Sequence, residues 1–277
     1  VTNIYRVPLN FEKFHITDKI LKKLKLKRRQ KDLEKWREFV TKAENPTQEV
    51  KIAIVGKYFT SGDGILIDSY ISVIEALKHA SFTLGFKPVV DWVDSGKILK
   101  NLKSLKNYDG IIVPGGFGSR DIEGKLEAIR FCRENKIPYF GLCYGMQLSV
   151  VEYARNVLGL VSANSTEIDP DTKYPVIHVM PDQQKKLLAK NYGGTMRLGA
   201  WDCALVSGSL ARKLYGKSKV SERHRHRCEF NNNFAQKFLV NGMVVSGTTP
   251  DGKLVEIIEI KDHPFFIGTQ FHPELKS

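Results

Sequence analysis

Short apolar runs alternate with longer amphipathic segments between residues 50 and 158 of the chain. Four of the runs predict buried strands, near residues 50–56, 88–93, 109–113 and 138–142. The segments that follow them predict helices, near residues 67–84, 95–105, 122–135 and 145–158. This alternation is typical of a mostly parallel sheet covered by helices on both faces, and the sequence therefore predicts an α/β fold.

The pattern changes at both ends of this region. Residues 1–46 are charged and helix-prone, with an amphipathic helix predicted over 32–42 and Pro46 ending it. Beyond Pro175 the apolar runs predict a small β-rich portion, with strands near residues 175–180, 195–205, 243–248 and 254–260. We therefore expect a leader over residues 1–46 and a second domain over 47–277.

Composition limits the classes of protein that fit. No uninterrupted apolar run approaches the roughly 18 residues of a membrane span, and the four cysteines lack paired spacing, so we expect a cytoplasmic protein without disulfides. The formal charge of +13 invites a nucleic-acid interpretation. Much of the excess lies in residues 22–31, where lysines are commonly just solvated, so nucleic acid is not a predicted partner.

A nucleophile elbow is predicted at Cys143. An apolar run ends in Gly141-Leu-Cys-Tyr-Gly145, and glycines two residues either side of the cysteine remove Cβ atoms that would clash at a tight strand-to-helix turn. The sulfur would then lie at the N-terminus of a helix, where the helix dipole favours a thiolate. The alternative is a buried structural cysteine.

A candidate base lies 129 residues later, where an apolar run ends in His272-Pro-Glu274. Residues two apart on an extended strand share a face, so Glu274 could orient the His272 ring while the ring takes a proton from Cys143. The alternative is a turn that only ends a strand.

A glycine-rich stretch, Gly115-Gly-Phe-Gly118, follows the strand-like residues 110–113. Its backbone could approach a reacting carbonyl closely, with the N–H groups of Gly116 and Tyr144 forming an oxyanion hole. A phosphate-binding loop is the competing interpretation, but the spacing fits neither the dinucleotide fingerprint nor the P-loop.

These motifs together resemble the class I glutamine amidotransferases. Further runs resemble the glutaminase domains of the CTP synthase family: Asn164-Ser-Thr-Glu167, Gly193-Gly-Thr-Met-Arg-Leu-Gly199, Glu222-Arg-His-Arg-His-Arg227 and Asp262-His-Pro-Phe-Phe266. The resemblance covers nearly the whole chain. One departure is Tyr144, where the family more often has leucine. Only the backbone N–H of that residue is needed for an oxyanion, so we expect activity to survive.

The resemblance implies a role for each matching residue. Cys143 would attack the glutamine amide and form a glutamyl thioester, with His272 as base and acid and Glu274 orienting it. The implied oxyanion and glutamine-binding residues are Gly116, Tyr144, Gly145, Met146, Gln147, Glu167 and Arg227. Arg120, Thr195 and Arg197 match positions associated with GTP activation. For Glu167 and Arg227 a capping turn and a surface ion pair are the alternatives.

The resemblance also implies partners. The leader is similar to the end of an amidoligase domain and the linker that follows it, and most of that domain, an implied partner, lies outside this chain. The implied substrate is L-glutamine, and no cofactor is implied for this chain. For the full enzyme the resemblance implies ATP and Mg²⁺ as cofactors, GTP as allosteric activator and a homotetrameric assembly. His224 and His226 should share one face of a strand, but no cysteine or carboxylate set completes a metal site, so no metal is predicted. Another amidotransferase, such as a GMP synthetase glutaminase, or a noncatalytic interaction module remain alternatives.

Overall fold

The computed structural model describes residues 3–29, 32–57, 60–61, 64–65, 70–119, 121–179 and 196–277. Its α-helices are α1 (Val7–Lys13), α2 (Ile16–Lys23), α3 (Glu34–Glu44), α4 (Ile71–Thr83), α5 (Ile122–Asn135), α6 (Tyr144–Asn156), α7 (Leu210–Tyr215) and α8 (Ala235–Val240). Short 3-10 helices cover Ile4–Arg6, Ile98–Lys100, Leu102–Asn107, Asn232–Phe234 and Pro273–Lys276.

The strands form three sheets. They are β1 (Gln48–Gly56), β2 (Thr60–Ser61), β3 (Gly64–Ile65), β4 (Phe86–Asp94), β5 (Gly110–Val113), β6 (Tyr139–Leu142), β7 (Ala163–Ser165), β8 (Tyr174–Val179), β9 (Arg197–Leu205), β10 (Lys219–His226), β11 (Cys228–Phe230), β12 (Met243–Thr248), β13 (Val255–Ile260) and β14 (Phe266–Thr269). The main sheet has the order β10-β9-β12-β13-β14-β6-β5-β1-β4. A second sheet has the order β11-β8-β7, and β2 pairs with β3.

Parallel pairing joins β14, β6, β5 and β1 at the centre of the main sheet. Antiparallel strands from the C-terminal part of the chain extend it on one side. Strands β5, β6 and β14 are almost wholly apolar because helices cover them, which is the pattern of a buried parallel sheet. The predicted α/β fold with an additional β-rich portion is confirmed.

The chain divides into two compact units. The first comprises the residues up to Val50 together with Leu77–Val89, and the second comprises Lys51–Ala76 and Val90–Ser277. In the first unit, the indole N–H of Trp36 donates to the Tyr5 carbonyl at 2.9 Å, and Tyr5 packs edge-on against Phe39. The division after residue 46 that the sequence suggests stays a prediction.

One predicted helix is wrong. Residues 95–105 form a turn and two short 3-10 helices instead of an α-helix. The Asp94 carboxylate accepts the backbone N–H groups of Gly96 and Lys97 at 2.8 and 3.0 Å, which holds the chain in a turn. Asn101 then adopts an extended φ of −153°, which breaks the helical path between the two 3-10 segments.

Gly124 lets α5 approach the chain at Ser95 closely. A Cβ atom at Gly124 would lie 1.7 Å from the Ser95 carbonyl oxygen, a distance that requires the backbone of one segment to move. Because this helix buries one face in the core of the second unit, the contact helps to set its position.

We predict that Gly124→Ala lowers the free energy of unfolding by about 3 kcal/mol, the upper end of the usual range for an overpacked site, because the new methyl group collides with backbone rather than with a side chain. Gly252→Ala is the matched control. That glycine has a φ of +73° and open space around its Cβ position, so its substitution costs only the roughly 1–2 kcal/mol of a left-handed conformation. Urea unfolding of both variants checks the difference, and equal losses would contradict the packing role.

Candidate functional site

Cys143 lies at a sharp turn between β6 and α6. Its backbone angles are φ 51° and ψ −97°, a left-handed conformation that costs energy for any residue with a side chain. Two hydrogen bonds hold the turn: the Cys143 N–H donates to the Thr269 carbonyl at 2.6 Å, and the Gln147 N–H donates to the Cys143 carbonyl at 3.1 Å. This strand, turn and helix have the geometry of a nucleophile elbow.

Two glycines allow α6 to approach the sheet so closely. A Cβ atom at Gly141 would lie 2.7 Å from the Gly145 carbonyl carbon, and one at Gly145 would lie 2.0 Å from the Val113 carbonyl oxygen. Any larger residue at either position would push the helix away from the sheet. The flanking glycines therefore fix where the sulfur of Cys143 is placed.

His272 reaches the same place by strand pairing. Strand β14 runs parallel to β6 with Thr269 opposite Leu142, so the residues after both strands emerge at one edge of the sheet. The His272 N–H donates to the Arg223 carbonyl at 2.8 Å, and its ring Nδ1 lies 2.7 Å from the Glu274 Oε1.

The prediction that His272 and Glu274 share one face of an extended strand is wrong. The strand ends at Thr269, and His272 is the N-cap of the 3-10 helix Pro273–Lys276. The carboxylate meets the ring because the tight first turn of that helix folds Glu274 back towards its cap, and not because the two residues share a strand face.

The electrostatics of the pair favour a protonated His272. Burial on its own lowers the pKa of the ring, but hydrogen bonds to Cys143 and Glu274, together with their negative charges, outweigh burial and raise the pKa to about 10. The ring therefore carries its proton at neutral pH beside the sulfur. Protonation of the His272 ring therefore stabilises the folded state. This contribution is complete below the ordinary pKa of 6.5 and is lost as the pH rises through about 10.

A cavity of about 450 Å³ opens over this pair. Its described wall consists of Tyr70, Ser72, Val73, Gly115, Gly116, Phe117, Cys143, Arg225, His272, Glu274 and Leu275. The volume suits a small ligand, and the wall combines apolar side chains with a few convergent polar groups. The structure thus brings together Cys143, His272, Glu274 and Gly116.

Two polar groups at the sulfur were missed from the sequence. The amide of Gln270 lies with Nε2 3.8 Å from the Cys143 Sγ, and its Oε1 accepts from the Gln147 amide at 3.3 Å. The Arg225 carbonyl lies 3.8 Å from the same sulfur. The only signal for Gln270 was its position directly before the Phe271-His272 step, and a single glutamine there indicates nothing by itself.

The residues that begin α6 differ in what they can offer a ligand. The Gln147 side chain points into the protein and donates to the Cys228 carbonyl at 3.0 Å, while Met146 and Gly145 are buried. Their side chains therefore build the site rather than face the cavity. Tyr144 is also buried, and a Cβ atom at Gly116 would lie 3.8 Å from its ring.

Glu167 and Arg227 each act on Cys228. The Glu167 Oε1 accepts the Gly118 N–H at 3.2 Å, and its Oε2 lies 3.7 Å from the Cys228 Sγ. Burial and the Glu167 carboxylate raise the pKa of the Cys228 thiol to about 12, while the charge of Arg227 opposes the shift. The Glu167 carboxylate thus contacts the glycine-rich stretch at Gly118, although neither Glu167 nor Arg227 is part of the cavity wall described above.

Of the three positions matched to GTP activation, the structure describes Arg197. Arg120 and Thr195 lie outside the described residues. Arg197 is buried and pairs with Glu256 at 2.7 Å and with Glu229 at 3.2 Å. Its guanidinium therefore has two carboxylate partners inside the protein, and a role towards an effector stays a prediction.

The histidines of β10 share one buried face, as the sequence predicts. The His224 Nδ1 lies 2.8 Å from the His226 Nε2. Burial lowers the pKa of both rings, that of His224 to about 3, so both are neutral at physiological pH. Within the part of the chain that the structure describes, no group of three or more His, Cys, Asp or Glu residues is arranged to hold a metal ion.

A larger cavity of about 910 Å³ lies elsewhere, beside Trp201, Asn231 and Asp251. Its described wall contains no cysteine and no serine. Its one lysine, Lys253, lies on the surface, 3.3 Å from Asp251. Because reactive groups converge only in the smaller of these two cavities, we place the chemistry there.

Comparison with known proteins agrees with the geometry. The family model "Glutamine amidotransferase class-I" matches residues 65–277. CTP synthase from Caldanaerobacter subterraneus subsp. tengcongensis is 50% identical over 279 residues, and that from Cytophaga hutchinsonii is 51% identical over 277. The alignments cover 100% and 99% of this chain, which spans about half the length of both relatives, 50% in each case.

A solved structure is also similar. It is described as the Trypanosoma brucei CTPS glutaminase domain with bound acivicin. It is 36% identical in sequence, with a TM-score of 0.74, and the match covers 82% of this chain and 86% of that one.

We predict that Glu274→Gln lowers the pKa of His272, because it removes a negative charge that holds the imidazolium. NMR titration of the ring should give a midpoint near pH 10 in the unmodified chain and a lower one in the variant. Glu127→Gln, which removes a half-buried carboxylate 3.7 Å from Arg130, should leave the midpoint unchanged. An unaltered midpoint in Glu274→Gln would show that the carboxylate does not tune the ring.

Proposed function

This chain belongs to the glutamine amidotransferase class-I family, as a glutaminase domain of the CTP synthase type, and we propose that it releases ammonia from L-glutamine through a thioester on Cys143. The observation that carries the proposal is the Cys143–His272–Glu274 arrangement at one edge of the sheet. A sulfur, an imidazole and an orienting carboxylate are the components of a nucleophilic triad.

The first half of the reaction forms the thioester. The Cys143 thiolate attacks the side-chain amide carbon of glutamine, and the carbonyl oxygen becomes an oxyanion between the backbone N–H groups of Gly116 and Tyr144. The His272 imidazolium gives its proton to the departing nitrogen, so that the C–N bond breaks and ammonia leaves. Glu274 holds the ring in the orientation that this transfer needs.

The second half restores the enzyme. His272, now neutral, takes a proton from a water molecule that attacks the thioester carbon. The C–S bond breaks, glutamate leaves, and the thiolate and imidazolium are regenerated together. The raised pKa of His272 supports this cycle, because the ring must hold a proton in the resting pair and accept one again during hydrolysis.

Glu167 and Arg227 are proposed to bind the amino acid end of the substrate. A glutamine zwitterion offers one ammonium and one carboxylate, which match the two charges that flank Cys228. Glu167 already accepts an N–H donor from Gly118, so its oxygen is directed towards the glycine-rich stretch beside the cavity. With both ends held, the side-chain amide is positioned for attack.

We propose that the whole protein uses this ammonia to make CTP. The curated relatives are about twice the length of this chain, and the amidoligase portion would bind ATP and Mg²⁺, activate UTP and accept the ammonia. GTP would act as an allosteric activator, and the full enzyme would be a homotetramer. It would work in the cytoplasm. No described helix is long and apolar enough to cross a membrane.

We predict that Cys143→Ala abolishes ammonia release from glutamine and leaves the fold intact, because the sulfur is the attacking atom. Ammonia is measured with and without added GTP, and circular dichroism checks the fold. Cys132→Ala, at a fully buried cysteine of α5, is the control and should remain active. Equal ammonia production by Cys143→Ala and the unmodified chain would reject the nucleophile.

We predict that Glu167→Gln raises KM for glutamine about 10- to 100-fold, because one charged hydrogen bond to the ammonium is lost. Glu123→Gln removes an exposed carboxylate that lies 3.1 Å from Arg155 and should leave KM unchanged. A KM in Glu167→Gln that matches this control would refute the assignment of the ammonium site.

A further inference from the structure

Tyr144 carries a side chain with no part in the proposed chemistry, which needs only its backbone N–H. The ring is 2% exposed, and its hydroxyl donates to the Gly118 carbonyl at 2.5 Å. Gly118 has a φ of +80°, and its own N–H donates to Glu167 at 3.2 Å. Gly118, the last residue of the glycine-rich stretch, is therefore held at its carbonyl by Tyr144 of α6 and at its N–H by Glu167.

The ring of Tyr144 also fills the space under this stretch. The Lys125 Nζ lies 5.3 Å from the ring centroid, within the range of a cation–π contact. Lys125 is only 4% exposed, and burial and the charge of Lys57 lower its pKa to about 8, with Asp121 opposing the shift. Burial removes the Lys125 ammonium from water, and the contact with the aromatic face of Tyr144 compensates for part of the lost solvation. The contact therefore restricts the positions of both side chains.

The glycine-rich stretch needs such a constraint. Residues 114–119 form neither helix nor strand, and Gly115 and Gly116 leave the backbone many conformations. An oxyanion donor is effective only if it is held in place before the negative charge develops. Binding of a substrate ammonium at Glu167 would compete with the Gly118 N–H for the same carboxylate, whereas the bond from Tyr144 to the Gly118 carbonyl would persist.

We propose that the Tyr144 side chain is a positioning residue that ties residues 115–118 to the start of α6 and so fixes the spacing between the N–H groups of Gly116 and Tyr144. This inference rests on the proposed function, since the oxyanion arises in glutamine hydrolysis. It also gives a use to the tyrosine at a position where the family that this chain resembles more often has leucine.

The test compares Tyr144→Phe, which removes only the hydroxyl, with the unmodified chain. We expect kcat for ammonia release to fall about five- to tenfold while KM for glutamine stays within about twofold, because the lost bond matters most for the oxyanion. An aldehyde analogue of glutamine, which forms a tetrahedral adduct with the sulfur, should lose affinity by the same factor. Alkylation of Cys143 by iodoacetamide needs no oxyanion hole and should keep its rate.

Two further variants serve as a control and as a second substitution at Tyr144. Tyr153→Phe removes another tyrosine hydroxyl of α6, one that donates to the Asn241 carbonyl, and should leave both kcat and aldehyde affinity unchanged. Tyr144→Leu removes the ring as well as the hydroxyl, so it should lose at least as much kcat and aldehyde affinity as Tyr144→Phe.

The outcomes separate the two proposals. If the unmodified chain releases no ammonia, with GTP present or absent, the proposed function fails and this inference fails with it. If the unmodified chain is active and Tyr144→Phe retains its kcat and aldehyde affinity, only the positioning role is overturned. A parallel fall in the alkylation rate would also overturn it, because the hydroxyl would then act on the whole site and not on the oxyanion donors.

Discussion

The close approach of α6 to the central strands is the constraint on which the rest of the site depends. Gly145 has its Cβ position 2.0 Å from the Val113 carbonyl oxygen, so only glycine allows the helix to start where it does. That start forces Cys143 into a left-handed conformation and presents its sulfur at the helix N-terminus, outside the sheet. The cost of this strained residue is offset by the packing of a helix that is buried along almost its whole length.

The topology of the sheet then brings in His272, the proposed base. Parallel pairing of β14 with β6 places two segments that are far apart in sequence at one edge, and the bond from Cys143 N–H to Thr269 ties them together directly. Strand β10, at the outer edge of the main sheet, also contributes through its backbone: the Arg223 carbonyl accepts from the His272 N–H, and the Arg225 carbonyl lies 3.8 Å from the sulfur. The side chains of the site are therefore held by backbone contacts that a change of side chain leaves intact.

Sequence reasoning found the parts of this site that have a local signature. Cys143 stood out through its flanking glycines, and His272 and Glu274 through their position after an apolar run. It could not find Gln270, whose amide reaches the sulfur only because of the fold, nor the burial of Arg197 between Glu229 and Glu256. The helix expected over 95–105 failed because Asp94 captures two backbone N–H groups, a local competition that amphipathic spacing does not reveal.

The Cys143 sulfur is proposed to carry the glutamyl group during turnover. Mass spectrometry of the chain, quenched in acid while it hydrolyses glutamine, would detect that group. The account predicts a γ-glutamyl group on the peptide that contains Cys143, and loss of that group on treatment with hydroxylamine, which cleaves thioesters. A glutamyl group on a different residue, or steady ammonia release from a chain on which Cys143 stays unmodified throughout, would contradict it.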